Sequence, residues 1–280
     1  MDEEGTVRLS ADDYRRERKY LAPSAFAWPD DSETTYPPPS DLVERAHWDS
    51  IMTLPTDVAL KSTSYVGSLV GRLDALHTDW IFSWPEIGTA PYMEEVALLA
   101  GEEFDALVFN AAHGWYRQAL GCLRNAFETM TVAAALSVRG DSKQFSSWRN
   151  GAVQVSFQAA RSWIRDSTLG GQLDSDVSPL SVFGDDEESW TRRRYARLCA
   201  YAHSQAGYNN ADFWESNGPI FVPAALEHVE AEFRETLALC YLLLRLGWPG
   251  YAPGPGEPAL LSDAKVGWEQ FERTLRQWLL

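Results

Sequence analysis

Apolar residues recur every three or four positions along most of this chain and rarely alternate. Between Thr56 and Trp80, the residues Val58, Tyr65, Leu69, Leu73 and Leu76 follow this spacing. That is the signature of a helix with one face in a core. The same spacing predicts Tyr92–Phe109 and His113–Val138, as two helices or as one helix broken near Gly114. Further helices are expected over Lys143–Arg165, Glu187–Gln205 and Ala224–Leu246. No period-two pattern persists beyond a few residues, so strands are not expected. The fold class read from this is all-α: a bundle of four to five long antiparallel helices with peripheral helices.

Punctuation sets the expected boundaries. Gly140 is placed to close the helix before it, and Asp141 or Ser142 to cap the next. Ser167–Asp186 and Gly207–Pro223 read as loops, rich in Gly, Pro and polar residues. Residues 1–40 read as an arm. Ser10 and Asp13 can start a short helix ending near Tyr20, and the Pro- and acid-rich stretch Ala22–Ser40 is an extended linker. Residues 41–246 carry the bundle, beginning with a short helix over Asp41–Met52. Residues 247–280 hold a Pro/Gly linker, Pro249–Pro258, and a last helix, Ser262–Leu279.

Composition narrows the class. The chain has 280 residues, 45% of them hydrophobic, enough for one large domain or two small ones. No apolar run reaches the 18 or so residues a membrane span needs, and the acidic start MDEEG lacks the apolar stretch of a signal peptide. Cys122, Cys199 and Cys240 lie on apolar helical patterns, with no metal-ligand spacing and no disulfide framework. Reduced thiols in a cytoplasmic protein are expected, with no metal and no cofactor.

The net charge of −16 argues against general nucleic-acid binding. It is unevenly spread, however. Residues 115–165 sum to +5 and residues 191–203 to +4. Brought together, these two segments would form a positive cleft on an acidic protein.

The second basic segment contains Arg197 and His203. Metal-free RNA cleavage needs a proton acceptor for the 2′-hydroxyl, a proton donor for the leaving 5′-oxygen and a cation for the phosphorane. Histidine can serve as acid or base, and arginine can hold two phosphate oxygens. The spacing also occurs at Arg72 and His77, so spacing alone does not choose a site. Side chains six residues apart on one helix point about 120° apart. A single straight helix therefore aims both at one phosphate only with help, for example from a second subunit.

The combination of segments is more specific. Tyr116, Arg117, Ala119, Arg124 and Glu128 resemble the Y-R-x-A-x-x-x-x-R-x-x-x-E helix of HEPN superfamily proteins. Tyr195, Leu198 and His203 resemble their Y-x-x-L-x-x-x-x-H helix, which bears an Arg–x(4–6)–His motif. The resemblance covers about residues 92–246. Leu198 departs from it, since active members often carry a polar residue directly after the arginine.

The HEPN resemblance implies a helical, metal-independent endoribonuclease of a bacterial toxin or antiviral-defence system, acting on RNA as a homodimer or with a partner protein. Arg197 and His203 would be catalytic, and Arg124, Asn125 and Glu128 supporting. Arg194, Tyr208 and Trp214 would contact substrate. The alternative is a non-catalytic binding, sensor or neutralising subunit of such a system.

Plainer roles compete for several of these residues. Arg124 and Glu128, four apart, can pair on the helix surface. His113 suits a helix cap. His47 and His228, flanked by acids, read as solvated.

Overall fold

The structure is a computed structural model that describes residues 45–82, 91–202, 218–248 and 251. The expected arm helix, the Pro-rich linker and the last helix lie outside the described residues. The chain divides into two compact units, Met1–Thr53 and Leu54–Leu280. In the first, the described residues 45–53 are helical.

Eight helices are described: α1 (Arg45–Phe82), α2 (Pro91–Ala112), α3 (Tyr116–Arg139), α4 (Ser142–Arg149), α5 (Phe157–Arg165), α6 (Thr168–Asp176), α7 (Trp190–Ala202) and α8 (Pro223–Gly247). No strand occurs among the described residues. The all-α class expected from periodicity is therefore present.

The second unit is built around α3, against which α2, α4, α5, α7 and α8 pack. The position explains the sequence of α3. Its middle, Met130–Leu136, is buried on every side, as expected for a helix surrounded by others. The pattern of α1 is one-sided. Leu69, Leu73, Leu76 and Trp80 are buried, and the Trp80 indole donates to the Ala97 carbonyl at 3.0 Å. Tyr65, expected on that face, is exposed. The adjacent Val66 is non-helical (φ −131°, ψ 35°), so α1 kinks there and its apolar face changes direction.

Several boundaries follow local chemistry. Gly114 (φ +79°) separates α2 from α3, and a Cβ there would collide with the Ile220 backbone. Only glycine meets both demands. Gly140 closes α3 in the left-handed conformation (φ +66°), and the Asp141 carboxylate caps α4 by accepting from the Gln144 amide at 2.8 Å.

Three boundaries differ from expectation. The helices expected over Asp41–Met52 and from Thr56 are one element in the described residues, α1, with Pro55 inside it. The single helix predicted over Lys143–Arg165 is two, because the chain turns after Asn150 through Gly151 (φ +72°) and restarts at Ser156, which caps α5. The predicted loop Ser167–Asp186 contains α6, capped by the Ser167 hydroxyl. Its glycine pair hides the helix from propensity, yet Gly170 is needed because a side chain would strike the Ile164 carbonyl.

Candidate functional site

Helices α7 and α8 meet along a polar seam. Glu232 is only 3% exposed on α8, yet it lies on the buried line Ala225, Val229, Glu232, Thr236. A carboxylate in an apolar interior must be paired. Arg194 and Arg197, one turn apart on α7, both reach it. Arg194 pairs with Glu232 and also with Glu235. Arg197 Nη2 lies 3.0 Å from Glu232 Oε1. The Trp190 indole donates to Glu235 at 2.7 Å.

The seam continues to a histidine. The Tyr201 hydroxyl is 2.7 Å from His228 Nε2, and that nitrogen is 4.0 Å from Glu232 Oε1. The Arg197 charge also acts on the Tyr201 hydroxyl, opposing the rise in its pKa. Glu232, His228 and Tyr201 are buried, whereas the Arg197 side chain is 53% exposed. One cation thus links the surface to a buried tyrosine–histidine pair.

Burial sets the protonation of this group. Desolvation holds His228 below its ordinary pKa; Glu232 opposes this, while Arg197 and Arg194 reinforce it. A neutral imidazole accepts the tyrosine proton at Nε2. Desolvation raises the Tyr201 pKa, so its hydroxyl keeps that proton. Desolvation also lowers Arg194 to about 10, which leaves it charged at neutral pH.

A second cluster lies where α3 meets α7. Arg124 donates to the Tyr195 hydroxyl at 3.0 Å and to Cys199 Sγ at 3.3 Å, and pairs with Glu128 at 2.8 Å. Tyr195 stacks on Phe157 with ring centroids 3.8 Å apart. At the end of α7, Arg117 Nε donates to the Tyr201 carbonyl at 2.7 Å, favourable for a cation at a helix C-terminus.

The structure distributes the expected site residues unevenly. Arg197 stands half exposed at the seam. Arg194, expected at a substrate surface, is interior and held by two carboxylates. Arg124 and Glu128 pair with each other, and Asn125 is exposed beside them. The carboxylate that orients Arg197 is Glu232, not Glu128. His203, Tyr208 and Trp214 lie outside the described residues. In the competing pair, Arg72 bonds Glu230 at 3.2 Å, and His77 Nε2 is buried with no hydrogen-bond partner among the described residues.

Two residues went unrecognised in the sequence. His228 reads as solvated from its acidic neighbours, but α8 turns it inward. Glu232 had a usable signal: an acid at a helical spacing otherwise occupied by apolar residues.

The basic segments do meet, because α3 and α7 pack together. Their charges are met by acids, however. Arg161 and Arg165 pair with Asp185, Arg149 with Glu95, and Arg192 and Arg193 with Glu187 and Glu188. The expected surplus of positive charge is largely neutralised. No family model matches the chain, and no curated protein or solved structure matches it either.

Proposed function

We propose that this chain is a HEPN-like helical protein of a bacterial defence or toxin system that cleaves RNA without a metal at the Arg197 site. One observation carries the reading. A half-exposed arginine, fixed by a buried carboxylate at 3.0 Å, adjoins a tyrosine–histidine hydrogen bond of 2.7 Å on the helix that leads to His203.

In this reading Arg197 holds the non-bridging phosphate oxygens. The 2′-oxygen attacks phosphorus as its proton passes to a base, and the P–O5′ bond breaks as an acid protonates the 5′-oxygen. His203 is assigned the proton transfers, and Glu232 holds Arg197 in place. The bundle of four to five antiparallel helices, the homodimer and the cytoplasmic location belong to the same reading.

Incubating the purified chain with RNA in EDTA tests it. Fragments ending in a 2′,3′-cyclic phosphate are expected. Arg197→Ala and His203→Ala should each slow their formation by about two to four orders of magnitude, while Arg72→Ala and His77→Ala should not.

A second reading has its own support. Each arginine of α7 already has a carboxylate partner, and Leu198 is apolar and buried. That combination suits a helix whose arginines lock a fold, in a non-catalytic binding or neutralising subunit. Absence of cleavage, together with wild-type behaviour of Arg197→Ala and His203→Ala in cells, selects it.

A further inference from the structure

The outer face of α2 departs from the usual division of a surface helix. Leu98 is 56% exposed, Leu99 46% and Phe109 60%. With Glu102 and Asp105, also exposed, they fall at positions 98, 99, 102, 105 and 109, one continuous helical stripe. Beside the stripe, α2 and α3 enclose an open groove of about 360 Å³. Leu99, Ala106, Ala126 and Thr129 line it, with Glu102 and Glu103 also on its walls. Small residues from both helices, Ala106 and Ala126, line the groove, and of the exposed large apolar residues Leu99 reaches it.

Isolated exposed leucines need no explanation, but here exposed Leu98, Leu99 and Phe109 share one helix face with Glu102 and Asp105 beside a groove, a mixed apolar and acidic face suited to contact. Charge selects the occupant. Glu102, Glu103 and Asp105 repel phosphate, which disfavours nucleic acid and anionic lipid. A two-fold pairing of this face with itself would set the same acids against one another.

We infer that the α2–α3 groove binds a basic amphipathic helix of a partner protein. The partner's apolar side chains would fill the groove between Leu99 and Ala126, and its Lys or Arg residues would flank them opposite Glu102, Glu103 and Asp105. The geometry is that of a helix laid in a groove. Apolar contact supplies most of the affinity, and the acids supply selectivity and a fast encounter. The inference does not depend on RNA cleavage, since the groove lies on α2 and α3 and uses neither Arg197 nor His228.

The test is binding of a fluorescent amphipathic Leu/Lys peptide of about 18 residues, five helical turns, to the full chain. Anisotropy at moderate salt should give a Kd of about 10 μM. The Leu/Glu peptide of the same pattern should bind at least about tenfold more weakly, a difference of about 1.4 kcal/mol. Glu102→Lys with Glu103→Lys, and separately Leu99→Ser with Phe109→Ser, should each weaken the Leu/Lys peptide by a similar factor. Circular dichroism should confirm that both variants keep their helical content. Glu187→Lys with Glu188→Lys, which reverses two exposed acids elsewhere, should leave binding unchanged. Failure of the Leu/Lys peptide to bind overturns the inference. So does an equal loss at Glu187 and Glu188, because binding would then follow net charge alone.

Discussion

His228 joins a buried hydrogen bond to a pH response. Tyr201, Arg197 and Arg194 face it from α7, and Glu232 lies one turn further along α8. Its folded pKa lies below the unfolded value of about 6.5. Above that pH the imidazole is neutral in both states, and its contribution is fully present. As pH falls through about 6.5, the unfolded chain takes the proton first and stability declines until the folded pKa is passed. Urea melts between about pH 7 and 5 should therefore show a falling midpoint, and His228→Gln should flatten that fall. An unchanged slope in the variant would remove His228 as its source. Glu232 tests the seam more severely. Glu232→Ala leaves the buried Arg194 with Glu235 alone and frees Arg197. A loss of about 3–5 kcal/mol is expected, the usual cost of stranding a buried charge, read as a lower urea midpoint at unchanged m.

At the scale of elements, the α2–α3 turn is the strictest local requirement. Gly114 is left-handed and abuts the Ile220 backbone. The neighbouring contacts are equally specific: the Tyr116 hydroxyl accepts from the Val222 amide at 2.9 Å, where α8 begins. Gly114→Ala should cost at least about 2 kcal/mol, from strained backbone plus steric conflict. Gly121→Ala is the control, because a Cβ there meets nothing within 4 Å and the residue sits mid-helix. It should be neutral or slightly stabilising, by up to about 1 kcal/mol. Equal melting temperatures for the two variants would refute the steric account.

For the whole molecule, the core among the described residues is a buried cluster that runs from Leu69 to Tyr251. The Pro- and acid-rich stretch Ala22–Ser40 has a composition that buries little, so removing residues 1–38 should leave a single cooperative thermal transition. A broad, non-cooperative melt would show that the arm contributes to the core.

Periodicity alone determined the helical class and most helix ends, because these depend on neighbours three or four residues apart. Gly114, Gly140 and Asp141 were legible as boundaries for the same reason. Tyr65, α6 and the break after Asn150 were not, since a kink, a capped glycine pair and a turn each override average propensity. The site divides in the same way. Arg197 and the Arg124–Glu128 pair stand out within single helices. Which carboxylate holds Arg197, and whether His228 faces solvent or Tyr201, depend on α7 meeting α8 about 30 residues later in the chain. Tertiary packing alone decided these points, because a buried charge is stable only beside its partner, and that partner comes from another helix.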